Sequence, residues 1–131
     1  MTVAYVDASA IVKLIVPEAE SEALVSSLRG YDDHVTSVIA HVEVPRAVRR
    51  TGLDPDLVMT IDVLSRFATV ALDHTVVEVA RRLEPSRLRS LDAIHIASAI
   101  SLGIEDLAFV AYDQLCLEGA AHSGLAPSSP G

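Results

Sequence analysis

Two apolar stretches of this 131-residue chain stop on an aspartate, VAYV at Asp7 and FVAY at Asp113. Two more acids interrupt apolar helical runs, Glu43 between Val42 and Val44 and Asp92 between Leu91 and Ala93. Each has an ordinary use. Asp7 can cap the helix that follows it, Asp92 can favour the positive end of a helix begun at Ser90, and Glu43 can pair with Arg46 three residues on. Their chemistry changes if they meet: at ~5 Å and an effective dielectric near 20, each ionised pair repels by about 3 kcal/mol. Against a domain stability of roughly 5–15 kcal/mol, that cluster requires a positive partner. Oxygen donors suit a hard divalent cation, Mg²⁺ with Mn²⁺ as the alternative, which would activate a water and offset charge on a phosphate. Zinc fits less well, because His34, His41, His74, His95 and His122 have no HExxH spacing and Cys116 is the lone cysteine.

The elements that would gather these acids follow from the apolar pattern. TVAYV, DHVTS, ATVAL and LAFVAY read as short buried strands, separated by helical segments with their own start and stop signals. Ser9 can cap a short helix ended by Pro17, Asp54 and Pro55 begin a helix running to about Phe67 with Leu57, Ile61 and Leu64 on one face, and Asp73 caps a helix stopped near Pro85. In the run SVIAHVEVPRAVRR, Pro45 predicts a kink or a later helix start. Strands alternating with helices predict a three-layer α/β/α fold around a short, mostly parallel sheet of four to five strands. In such sheets ligands bind beyond the carboxyl ends of the strands, which is where Asp7 and Asp113 fall and where the helices carrying Glu43 and Asp92 begin.

Length and composition bound the rest. Half of the residues are apolar, enough for one core, so residues 1–125 are expected to form a single domain and 126–131, rich in Pro, Ser and Gly, a flexible tail. The lone cysteine, the absence of a signal-like N-terminus and the lack of any uninterrupted apolar run of ~18 residues predict a cytoplasmic protein without membrane contact. Eighteen acids against ten bases give a formal charge of −8, which argues against nucleic-acid binding through the whole surface and requires local basic residues for any phosphate ligand. Arg46 and Arg50 lie at i+3 and i+7 from Glu43 and can guide phosphates; their ordinary role is to favour a helix C-terminus. Arg81, Arg82, Arg87 and Arg89 carry the same two readings. Ser9 can donate to a carboxylate or a phosphate, or cap its helix. His95, in AIHIASAI, reads as a packed core histidine, Tyr112 as a space-filling side chain at a strand end, and Cys116 as core packing.

VDASAIVKL, HVEVPRAVRR, SLDAIHIASA and FVAYD, in that order and together spanning nearly the whole chain, resemble the four acidic signatures of PIN-domain ribonucleases, specifically the VapC toxins of bacterial toxin-antitoxin pairs. The resemblance implies an Mg²⁺-dependent endoribonuclease whose catalytic and metal-binding residues are Asp7, Glu43, Asp92 and Asp113, with RNA as substrate, a VapB-like antitoxin as partner, and a homodimer. Asp7, Asp92 and Asp113 would form the metal core, with Glu43 as a ligand or as the group that positions the attacking water. Ser9, Arg46 and Arg50 are the candidate substrate contacts. Ala111 stands where the family often has threonine or serine, Gln114 where arginine is common, and GLAPSSPG lacks the β-branched run of a closing strand. These departures leave a second reading, a catalytically weak or inactive module of the same fold that works by binding protein. A covalent phosphatase using Asp7 as nucleophile would carry DxDxT, and DASAI lacks the second acid.

Overall fold

The computed structural model describes residues 2–131. VAYV forms β1 (Val3–Val6), in which Ala4 and Val6 enter one core and Tyr5 the opposite one, all three fully buried. A strand covered on both faces has no place for a polar side chain, which is why this stretch stays apolar until Asp7. The helices α1 (Ala8–Lys13) and α2 (Ser21–Leu28) lead to β2 (Asp33–Ser37). Next come α3 (Ala40–Arg49), α4 (Val58–Leu64) and β3 (Ala68–Val70). The second half holds α5 (His74–Ala80), α6 (Ser90–Ser101), β4 (Ala108–Val110), α7 (Gln114–His122) and β5 (Ala126–Ser128).

All strands pair in parallel, in the order β3-β2-β1-β4-β5, with Tyr5 opposite both Val35 and Phe109. One face of the sheet packs Ile11, Leu24, Val44, Val48 and Leu64 from α1 to α4; the other packs Ile96, Ala99, Cys116 and Ala120 from α6 and α7. The expected α/β/α layering is present. The chain steps outward from β1 to β3, then crosses back to β4 on the far side of β1. The direction of winding therefore reverses between β1 and β4, and a crevice opens beyond their carboxyl ends.

Several local expectations differ from the structure. The segment 126–131, expected to be a flexible tail, contains β5, giving the sheet a fifth strand without β-branched residues. Backbone bonds suffice there: the Ala126 N–H donates to the Leu107 carbonyl at 2.9 Å and the Ala111 N–H to the Ser128 carbonyl at 3.1 Å. Pro127 fits because the strand is at the edge, where its missing N–H faces away from β4. α4 starts at Val58, not at Pro55, because Leu57 adopts left-handed backbone angles (φ 58°, ψ 23°) that interrupt the helix. Its buried face is Thr60, Val63 and Leu64, and Ile61 points outward, 61% exposed. α5 ends at Ala80, short of Pro85. α3 runs through Pro45 as one helix and does not begin later; Pro45, sixth of its ten residues, has no N–H to give the His41 carbonyl. The cap of α1 is Asp7, not Ser9, and α6 begins from Arg89 in extended conformation, with Ser90 already in the helix. Among the described residues no helix is long and apolar enough to cross a membrane.

Candidate active site

Each acid reaches the crevice by a different local route. Asp7 follows β1 and has extended backbone angles, so its carboxylate turns back to accept the Ser9 N–H at 3.1 Å and start α1. Glu43 sits in the first turn of α3 and Asp92 in the first turn of α6, both at helix ends that face the strand termini. Asp113 follows β4 by three residues and caps α7, accepting the Cys116 N–H at 3.0 Å. The side chains grade from deep to open: Asp7 is 6% exposed, Asp92 19%, Glu43 23% and Asp113 35%. Asp7 is thus the floor of the site and Asp113 its rim.

Two cationic or proton-bearing groups tie the acids together. His95 Nε2 lies 2.7 Å from Glu43 Oε1 and 3.4 Å from Asp7 Oδ1. Arg89 spans the rim, with Nε 3.7 Å from Asp92 Oδ2 and Nη2 3.4 Å from Asp113 Oδ1. A ligand atom from each of Asp7, Asp92 and Cys116 lies within 4.8 Å of the others. The electrostatics report the same convergence. Burial, then the charges of Asp7 and Asp113, raise the Asp92 carboxyl above its ordinary range despite Arg89 and His95. Burial raises the Cys116 thiol strongly, and the charges of Asp7, Asp92, Asp113 and Glu43 all push it further.

This donor set fits a hard divalent cation. Asp92 Oδ2 is buried and makes no hydrogen bond, with Arg89 Nε standing off at 3.7 Å, and buried acceptors left without a hydrogen bond are rare in folded chains. Within 4.8 Å Asp92 has an oxygen of the Asp7 carboxylate, the donor type that Mg²⁺ and Mn²⁺ prefer. Cys116 lies near, but its soft sulfur is a poor donor for these hard cations, and burial and the surrounding carboxylates raise its thiol strongly.

Beside the acids runs a groove of about 590 Å³ whose lining includes Ser9, Val42, Glu43, Arg46, Arg50 and Leu91. It brings together the three residues singled out as substrate contacts. Ser9 is also engaged inside the site: its hydroxyl donates to Asp7 Oδ2 at 2.6 Å and accepts the Tyr112 N–H at 3.1 Å. Of the second basic cluster only Arg89 touches the acids. Arg81 and Arg82 pair with Glu78 at 3.1 and 3.5 Å, and Arg87 with Glu118 at 3.1 Å.

The PIN domain family model matches residues 4–115, a span that contains all four acids. The chain belongs to the PIN-domain family. Curated relatives cover nearly its full length. Ribonuclease VapC47 of Mycobacterium tuberculosis (strain CDC 1551 / Oshkosh) is 35% identical, covering 97% of this chain and 96% of its own. Ribonuclease VapC46 of Mycobacterium tuberculosis (strain ATCC 25618 / H37Rv) is 37% identical, covering 99% of both. Among solved structures, a toxin-antitoxin complex from Klebsiella pneumoniae superposes with a TM-score of 0.72 at 18% identity, covering 98% of each chain. FitAB bound to an IR36 DNA fragment superposes with a TM-score of 0.67 at 14% identity, covering 98% of this chain and 95% of that one. At those identities the two structures speak for the fold.

Within this PIN domain Ala111 is fully buried in the α6–α7 core, and Asp113 accepts the Cys116 N–H and lies 3.4 Å from Arg89 Nη2. The residue that sequence reading underrated is His95. It is fully buried, as a core histidine would be, and both ring nitrogens are engaged in the site's hydrogen bonds. The available signal was its i+3 spacing from Asp92, which puts both on one face of α6. The missing one was the packing of α3 that brings Glu43 across.

Proposed function

We propose that this PIN-domain chain is a Mg²⁺-dependent endoribonuclease, the toxin of a toxin-antitoxin pair, that hydrolyses RNA phosphodiester bonds with water. The observation that carries this reading is the close approach of Asp7 and Asp92, with Glu43 joined to Asp7 through His95, Asp113 joined to Asp92 through Arg89, and Asp92 Oδ2 buried without a hydrogen bond. These carboxylates would hold a divalent ion, which when bound would lower the pKa of a water and offset charge on the phosphate under attack. Mn²⁺, which favours the same donors, is the alternative ion.

The chain's own groups do the positioning. Asp7 is held by two donors from Ser9 on Oδ2, with its Oδ1 3.4 Å from His95 Nε2. Asp92 lies beside Asp7, with Oδ2 free of hydrogen bonds. Arg46 and Arg50, on the groove wall next to Glu43, attract the phosphates of an incoming strand, and the apolar side chains of Val42 and Leu91 offer surface for its bases. Local arginines matter because the whole molecule, at −8, repels RNA.

The homodimer, the VapB-like antitoxin and a cytoplasmic site of action complete the proposal. The names of the relatives support the antitoxin, and the single buried cysteine suits a reducing compartment. Light scattering of the purified chain, alone and co-expressed with a VapB-like antitoxin, checks the assembly. The deciding test is cleavage of an RNA panel with Mg²⁺, with EDTA, and by Asp7→Asn. Cleavage that needs Mg²⁺ and disappears in both controls is expected. Cleavage unchanged by either overturns the metal mechanism, and none under any condition favours the protein-binding module.

A further inference from the structure

We propose that His95, held from behind by Tyr5, is a positioning residue that sets the orientation of Glu43 and is itself kept out of the metal's ligand set. The inference rests on the metal-dependent reading above and deepens it. It starts from a continuous line of hydrogen bonds through the interior. Tyr5 Oη lies 2.7 Å from His95 Nδ1, and His95 Nε2 lies 2.7 Å from Glu43 Oε1, joining β1, α6 and α3.

Proton accounting fixes the direction of that line. A carboxylate only accepts, so the nitrogen facing Glu43 and Asp7 must carry a proton. The Tyr5 hydroxyl, fully buried, can either donate or accept at Nδ1. A neutral imidazole therefore accepts from the phenol at Nδ1 and donates from Nε2. An imidazolium donates from both nitrogens, with the phenol oxygen as acceptor on one side. In either state the Nε2 proton points at Glu43, and the lone pair that a metal would need is not offered.

The geometry holds this arrangement in place. His95 and Tyr5 are both fully buried. The Tyr5 ring stacks on Phe109, with centroids 5.4 Å apart and planes 5° from parallel, and meets the His95 ring edge-on at 5.8 Å and 72°. Glu43, by contrast, is a long side chain on the groove wall, and His95 is the one side chain that hydrogen-bonds to it among the described residues. Occupying Oε1 from inside leaves Oε2 for the crevice. Partners that orient a metal-binding side chain in this way commonly change metal affinity or activity by roughly 10–100-fold when removed.

The test uses the full chain, with Mn²⁺ as the probe. In ¹⁵N-edited spectra of the metal-free protein, His95 is expected to carry a proton on Nε2, and that proton is expected to survive saturation with Mg²⁺. His95→Leu should weaken Mn²⁺ binding, read by EPR or calorimetry, by about 10-fold or more. His95→Gln, whose amide nitrogen can donate where Nε2 does, should return it to within about 3-fold of wild type. Tyr5→Phe, which keeps the stacked ring, should change the His95 Nδ1 resonance and lower kcat with KM for RNA unchanged. Loss of the Nε2 proton on adding metal, or Mn²⁺ binding by His95→Leu equal to wild type, overturns the inference. If His95→Leu fails to fold, His95→Gln and Tyr5→Phe carry the test, and a Gln variant as weak as an unfilled site overturns it. Failure of the wild type to cleave any RNA is a separate result that strikes the function alone, since the spectra and the Mn²⁺ titration do not depend on cleavage.

Discussion

The Ser9 hydroxyl lies 2.6 Å from Oδ2 of Asp7, and the Ser9 N–H reaches the same oxygen at 3.1 Å. One short residue therefore supplies both donors on that oxygen, and its hydroxyl spends its only proton inside the site. Ser9 was a candidate for phosphate contact. The hydrogen bond makes it a support for Asp7, even though it also lines the groove.

Ser9→Ala is then expected to lower kcat for RNA cleavage by roughly 10–100-fold, the equivalent of the ~1.5–3 kcal/mol carried by a hydrogen bond to a charged group. The Ser9 backbone bond stays, so KM should change little, while loss of the acceptor for the Tyr112 N–H should lower the Tm modestly. Steady-state kinetics decide: a rise in KM with kcat intact would return Ser9 to the role of a substrate contact.

Asp92 predicts an exchange of stability for activity. Burial, then Asp7 and Asp113, disfavours its charge, so without metal the charged carboxylate is a net cost to the folded state. Asp92→Asn should raise the Tm of the metal-free protein and eliminate Mg²⁺-dependent cleavage. Added Mg²⁺ should raise the Tm of the wild type more than that of the variant, because a ligand stabilises the state that binds it. Thermal melts with EDTA and with Mg²⁺ measure both terms; a variant less stable than wild type in EDTA would contradict the account of Asp92.

The four acids could be read from sequence because the physics that buries a strand is local. VAYV and FVAY admit no charge until the strand leaves the sheet, so Asp7 and Asp113 mark its edge by themselves. The helices carrying Glu43 and Asp92 start at the same edge, as a parallel sheet demands. β5 was not legible, because an edge strand needs only backbone pairing on one side and APS has no apolar alternation to announce it. The start of α4 was not legible either, since Asp54-Pro55 is a good helix opening and the left-handed Leu57 leaves no mark in composition. His95 was half legible. Its burial followed from the apolar run around it, but its bond to Glu43 depends on two segments 52 residues apart.

Asp54 gives a pH prediction on the structural side. Its Oδ2 accepts both the N–H and the hydroxyl of Thr60, each at 2.7 Å, and so holds the loop that precedes α4. The Thr60 hydrogen bond outweighs burial and lowers the Asp54 carboxyl below its ordinary value. A carboxyl lowered on folding stabilises the folded state above its unfolded pKa of about 3.9, and that contribution is lost as pH falls through the lower folded value. Asp54→Ala should therefore melt below wild type by a constant margin above about pH 5, a margin that shrinks below about pH 4. A margin independent of pH down to the acid transition would remove the carboxylate from the explanation.

Arg46 and Arg50 make the last prediction, because an acidic protein that cleaves a polyanion must concentrate its few cations where the strand lies. Both line the groove that begins at Glu43, on the exposed side of α3, while its buried side is Val44 and Val48. Replacing both with alanine should leave the core intact and raise KM for RNA while kcat changes little. The slope of log KM against log salt should fall by about 1.4, since each phosphate contact with a single strand contributes about 0.7. Arg66 offers the matched control: it is an exposed arginine paired with Asp62 at 2.7 Å, and it lies outside the groove lining. Arg66→Ala should leave the salt slope where it was. Equal slopes for the wild type and the Arg46/Arg50 double variant would mean that RNA approaches the acids from another side, and the rim spanned by Arg89 would then be the face to mutate next.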